Sequence, residues 1–190
     1  MRKGVGRSRN VIRIHIGEYY ASRESRVIYT LLGSCVAVCL FDPVRRIGGM
    51  NHILMPGKAD LKHFDAASRY GINAMELLIN RIMNLGGHRD RLRAKVFGGA
   101  RTLSTIPLHN SMGPKNAEFA IQFLERESIP ILSRDLGGSL SRRIYFHTDS
   151  GDVYLKRGKP VQLTALQIEE EKVRKRVARE VEDKGDVTLF

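Results

Sequence analysis

The sequence predicts an α+β protein built from mixed, largely antiparallel β-sheets flanked by helices. Three observations lead there. Short apolar runs separated by turn signals come in hairpin-like pairs, with Asp42-Pro43 between one pair and Thr148-Asp149-Ser150-Gly151 between another. Two longer segments instead carry apolar residues at helical spacing. The glycine patterns of nucleotide-binding folds are missing: Gly98-Gly99 is not G-x-G-x-x-G, and no Walker sequence occurs.

Taken in order, residues 1–10 read as a disordered basic N-terminus. Val11 to Ile16 partly alternates and reads as a strand. Val27 to Leu32, Val36 to Phe41 and Gly49 to Met55 follow as three more, the last stopped by Pro56-Gly57. From about Asp65 to Leu85 the apolar positions Ala66, Tyr70, Ala74, Leu77, Leu78, Ile82 and Leu85 predict a helix, which Gly86-Gly87 caps. Leu92 to Phe97 is a strand. Pro114 suits a helix first turn, and Ala117, Ala120, Ile121 and Leu124 continue that face. Ile129 to Leu132 is a short strand, and Arg143 to His147 with Asp152 to Lys156 form a hairpin. Residues 11–158 thus read as one domain. Residues 159–190 read as a charged, partly helical extension, whose stripe Val173, Val177 and Val181 is too narrow for a core helix.

Composition bounds the function. The 190 residues are 42% hydrophobic, enough for a real core in one domain. No run approaches the roughly 18 apolar residues of a membrane span, and the N-terminus lacks the apolar stretch of a signal peptide, so a cytoplasmic protein without direct membrane insertion is expected. The net charge is +12. Arg2, Lys3, Arg7, Arg9 and Arg13 precede the first acidic residue, Glu18, and a positive surface of this kind suits an acidic partner. The tail mixes both signs and reads as a solvated helix. Neither an RNA-binding aromatic motif nor zinc-finger spacing is present, and no nucleic acid is expected as a partner.

Cys35 and Cys39 are the two cysteines. On one strand they share a face about 13 Å apart, too far for a disulfide. Cys39, inside Val-Ala-Val-Cys-Leu, reads as core. Cys35 differs, because it follows the Gly33-Ser34 turn at the head of the run. His52 lies on the returning strand. A four-residue loop from Asp42 to Arg45 would set Cys35 directly opposite His52, with Cβ atoms about 4.5–5.5 Å apart. A five-residue loop would turn the imidazole to the other face. If the two meet, histidine takes the thiol proton, the thiolate attacks an amide or ester carbonyl, and N–H groups of the Gly33-Ser34-Cys35 turn hold the oxyanion. No metal site or cofactor is needed for this chemistry.

Leu32-Gly33-Ser34-Cys35-Val36, Phe41-Asp42-Pro43 and Gly48-Gly49-Met50-Asn51-His52 resemble the CheD chemoreceptor glutamine deamidases of bacterial chemotaxis. The resemblance continues through Ala94-Lys95-Val96-Phe97-Gly98-Gly99-Ala100, Gly113, Asn116, Asp135-Leu136-Gly137-Gly138 and Gly151, and so covers roughly residues 11–157. It implies a fold like that of cysteine hydrolases such as the catalytic domain of cytotoxic necrotizing factor. It implies hydrolysis of receptor glutamine side chains to glutamate with release of ammonia, on the cytoplasmic helical bundle of methyl-accepting chemoreceptors. Cys35 matches the family nucleophile and His52 the family histidine. The third family residue is a threonine shortly before the cysteine, for which Thr30 is the nearest match. Some family members also bind the phosphatase CheC. The rival expectation is a non-catalytic chemotaxis adaptor that binds receptor or CheC through the same fold.

Overall fold

The structure, a computed structural model, describes residues 10–101, 111–158 and 163–183. The expectation of disorder at the N-terminus therefore lies almost wholly outside the described residues. Two sheets face each other. One has four strands in the order β1 (Val11–Arg13), β3 (Val27–Leu32), β8 (Arg142–His147) and β9 (Val153–Arg157). The other has five, in the order β2 (Tyr19–Ser22), β5 (Ile47–Ile53), β4 (Val36–Asp42), β6 (Arg93–Gly98) and β7 (Ile131–Leu136). The pairs β1–β3 and β6–β7 are parallel and the other pairs antiparallel, so the sheets are mixed and mostly antiparallel, as the sequence predicts.

The layering follows from the period of two in the strands. On β4, Val36, Val38 and Leu40 turn to helices α1 (Ala66–Asn84) and α2 (Met112–Arg126). Cys35, Ala37 and Cys39 turn to the other sheet, where they meet Ile28, Leu32, Ile144 and Phe146. β4 and β5 are thus covered on both faces, which is why each reads as a nearly continuous apolar run rather than an alternating one. Gly49 lets β5 lie this close to its neighbours, since a Cβ there would stand 2.6 Å from the Ala21 Cβ and 2.7 Å from a Leu78 methyl.

Helix α1 begins at Asp65, whose carboxylate accepts from the Ser68 N–H at 2.7 Å. It ends where Gly86 N–H and Gly87 N–H donate to the Met83 and Ile82 carbonyls, the double-bonded cap expected of Gly86-Gly87. The face it buries is Gly71, Met75, Leu78, Ile79 and Ile82, rotated from the expected one, and Leu77 is exposed. Strand β2 escapes sequence analysis: Tyr-Tyr-Ala-Ser is a short edge strand without strict alternation, ordered by pairing with β5.

The β4–β5 loop has the expected four residues but starts one residue later. Asp42 stays in the ladder opposite Ile47, and Ala37, not Cys35, lies opposite His52. The cause is the Asp42 carboxylate. Fully buried, it accepts from the Val44 and Arg45 N–H groups at 2.9 and 3.0 Å, from the His88 N–H at 2.9 Å, and from the Arg91 guanidinium at 3.0 Å. Burial alone would push its pKa up, but Arg91 and these N–H groups outweigh it and bring it down to about 2. This contribution is complete above the ordinary carboxylate pKa of about 3.9, and it is lost as pH falls through about 2. Asp42→Ala strands Arg91 and is expected to cost roughly 3 kcal/mol. The urea midpoint should fall at unchanged m-value, and an unchanged midpoint would show the network to be dispensable.

Candidate active site

The chain crosses from one sheet to the other at Gly33-Ser34-Cys35, between β3 and β4, and this crossing builds the site. Two glycines brace it. Gly99 N–H donates to the Cys35 carbonyl at 2.7 Å and Ala100 N–H to the Gly33 carbonyl at 2.8 Å. Gly98 has φ +112°, and a Cβ there would lie 2.2 Å from the Cys35 carbonyl oxygen, so only glycine lets β6 end this close to the turn. From the other side Asn116, fully buried on α2, donates to the Ser34 carbonyl at 2.8 Å and accepts from the Met55 N–H at 2.9 Å. Asn116 therefore locks the turn to the end of β5.

His52 sits on β5 and Thr30 on β3, in different sheets, and a hydrogen bond of 2.8 Å between Thr30 Oγ1 and His52 Nδ1 joins them across the interior. Thr30 Oγ1 donates its proton to the Ile14 carbonyl at 2.9 Å. Its remaining role toward His52 is acceptor, so Nδ1 carries the hydrogen and Nε2 the lone pair. His52 Nε2 is buried and has no hydrogen-bond partner among the described residues. Burial, with His15 nearby, lowers the His52 pKa to about 3, so the ring is neutral at neutral pH.

Cys35 stands at one of the two positions diagonal to His52 on the same face, just before β4: Ala37 lies opposite His52, and Cys35 is two residues before it. Diagonal neighbours on a sheet face lie about 7–8 Å apart. The expected directly opposed pair is thus corrected to a diagonal one, with the face retained. Cys39 lies on that face too, at the other diagonal, but inside the ladder opposite Met50.

One residue at the site was not expected. Helix α3 (Leu163–Asp183) packs back on the domain with Val173 and Val177 and puts Glu170, 5% exposed, over the nucleophile turn. Its Oε1 accepts from the Ser34 N–H at 3.0 Å and more distantly from the Cys35 N–H at 3.4 Å, and its Oε2 accepts from Ser34 Oγ at 2.6 Å. Burial, the Glu170 charge and a hydrogen bond to Glu170 together push the Cys35 thiol well above its usual pKa. The reading of the tail as a solvated helix fails at this residue. The sequence signal was present: Glu170 stands three before Val173, so an acid interrupts the apolar stripe at the position that faces inward. Among the described residues no cluster of His, Cys, Asp or Glu is arranged to hold a metal ion.

The comparisons agree with the family resemblance. The family model described as "CheD chemotactic sensory transduction" matches residues 54–157. A Shewanella oneidensis protein named "Probable chemoreceptor glutamine deamidase CheD 1" is 42% identical over 184 residues, covering 96% of this chain and 88% of that one. A Vibrio vulnificus protein named "Probable chemoreceptor glutamine deamidase CheD" is 38% identical over 192 residues, covering 97% and 88%. One of that name from Agrobacterium fabrum is 49% identical over 142 residues, covering 73% and 76%. Among solved structures, the hypothetical protein YfiH of Bacillus licheniformis matches with TM-score 0.39 and 17% identity over 62% of this chain and 49% of that one.

Proposed function

This chain belongs to the CheD family, and on that premise we propose that it is a thiol amidohydrolase that deamidates chemoreceptor glutamines, with Cys35 as nucleophile, His52 as acid and base, and Thr30 as positioning residue. The observation that carries the reading is the hydrogen bond between Thr30 Oγ1 and His52 Nδ1. The His52 Nδ1–H is spent on Thr30, which leaves an unpartnered basic Nε2 in the same interior face as the Cys35 thiol.

The steps follow from these groups. Nε2 takes the Cys35 proton as the thiolate adds to the glutamine amide carbon. The Ser34 and Cys35 N–H groups, which converge on a carboxylate oxygen here, hold the negative oxygen of the tetrahedral intermediate. His52 returns the proton to nitrogen, and ammonia leaves. Water, losing a proton to Nε2, then cleaves the thioester to glutamate and free thiol.

Receptor helices in the cytoplasm are the substrate on this reading. Among the described residues no helix is long and apolar enough to cross a membrane, which is compatible with that location. On the resemblance alone, a CheC phosphatase is a second partner, tested by co-purification with the full chain. The direct test is ammonia release from a purified receptor cytoplasmic fragment. Release above background with wild type sustains the reading. No release, from folded protein that binds the fragment, favours the adaptor instead.

Thr30→Val keeps the shape of the side chain and removes the acceptor. It is expected to slow turnover about 100-fold, the usual cost of a misdirected catalytic group, while Thr30→Ser restores most of the rate. Equal rates for the valine and serine variants would remove Thr30 from the mechanism.

A further inference from the structure

Glu170 has the surroundings of a bound ligand rather than of a structural acid. It is buried, and its hydrogen bonds among the described residues all go to the nucleophile turn: the Ser34 N–H, the Cys35 N–H and Ser34 Oγ. A glutamate side chain is the product of glutamine deamidation, and here it lies in the pose that product would take. One oxygen meets the backbone N–H groups where a reacting carbonyl oxygen belongs. The other meets Ser34 Oγ, a hydroxyl that donates to a carboxylate oxygen and accepts from an amide NH2.

The segment that presents this carboxylate is a helix. Glu170, Val173 and Val177 lie on one face of α3, at the i, i+3, i+7 spacing of a packed stripe. Glu169, one residue before, lines a small cavity with Arg13, His15, Thr30 and His52. Farther along, α3 packs against α1, and Tyr70 of α1 lines a small cavity with His52. The surface running from the Cys35 turn past Tyr70 therefore accepts a helix with one carboxamide-sized side chain pointing down.

We propose that α3 is a substrate mimic carried in the chain. Glu170 holds the product position over Cys35, and the groove beneath α3 is the seat of the glutamine-bearing helix, which displaces it. The proposal rests on the deamidase reading for the identity of the substrate, but not for the presence of the plug. Seated, Glu170 blocks the oxyanion site and keeps the nucleophile a thiol. Displaced, it frees both N–H groups and lets water and substrate reach Cys35.

The test uses the full chain. Cys35 alkylation by iodoacetamide is followed by peptide mass spectrometry in wild type, Glu170→Ala and Val177→Asp, with Glu171→Ala as the control on the exposed side of α3. Deamidation of a receptor fragment is measured beside it. Alkylation and turnover are expected to rise about tenfold in the first two variants, as when a state populated one-tenth of the time becomes the major one, and to stay level in the control. Unchanged Cys35 alkylation in both variants overturns the proposal whatever the turnover. Raised alkylation with no turnover by any variant sustains the plug and overturns the deamidase reading instead.

A third variant probes the mimicry. In Glu170→Gln an amide stands over Cys35. The thiolate adds to it, ammonia leaves with the proton held by His52, and water resolves the thioester to acid and thiol. The intact mass should therefore rise by the difference between an amide and an acid, and a second change, Cys35→Ala, should stop the rise. No mass change, while the same variant turns over receptor fragment, would overturn the mimicry.

Discussion

Cys35→Ala is expected to lower receptor deamidation by about a thousandfold or more, the usual consequence of removing a nucleophile, while Cys39→Ala keeps most of the activity. The two thiols make a fair comparison. They sit four residues apart, face the same inter-sheet layer, and are both free and buried. What separates them is position. Cys35 lies at the sheet crossing, where the N–H groups of its own turn converge on a carboxylate oxygen. Cys39 lies inside the ladder between Met50 and Lys95, and burial pushes its thiol up. Its loss should show mainly as stability, about 1–2 kcal/mol for a small core truncation. Equal loss of activity from both alanine variants, with both folded, would move the nucleophile out of Cys35.

His52→Gln is expected to reduce turnover by about 10²–10⁴-fold and, separately, to flatten the acid dependence of stability. The two effects have one origin. His52 is neutral because burial brings its pKa from the ordinary 6.5 to about 3. Below pH 6.5 the unfolded chain binds a proton that the folded chain refuses, so the stability present above that pH declines as pH falls toward about 3. Wild type should lose thermal stability across this window more steeply than His52→Gln, as read by Tm at successive pH values. Parallel Tm curves would mean that His52 is hydrated and charged in the folded protein, and would weaken the case for a neutral base. With Glu170 seated, the Cys35–His52 pair is thiol and imidazole rather than an ion pair, so proton transfer belongs to the step in which substrate replaces α3.

The strands, their hairpins and the face that Cys35 shares with His52 were legible in the sequence, because each depends on local chemistry. Asp-Pro and Thr-Asp-Ser-Gly turn the chain, and a period of two assigns the faces. The register was not legible. A four-residue loop can begin at residue 42 or 43, and the choice fell to Arg91 and the His88 N–H, which hold Asp42 in the ladder from nearly fifty residues away. Thr30 could be named from its resemblance to a family position. That it reaches His52 depends on two sheets stacking, and no local pattern encodes that. Glu170 was the residue missed. In a segment with three consecutive glutamates and many bases, charge pattern suggests a solvated face, and only the phase of the stripe distinguishes the one acid that points inward.

The measurement that tests the central claim most directly is peptide mapping by mass spectrometry of a receptor cytoplasmic fragment incubated in ¹⁸O-labelled water. Wild type, Cys35→Ala and His52→Gln would be compared side by side. Hydrolysis through a Cys35 thioester should give, with wild type alone, glutamate at discrete helix positions carrying one labelled oxygen each. Conversion that persists at wild-type rate in Cys35→Ala would contradict the account.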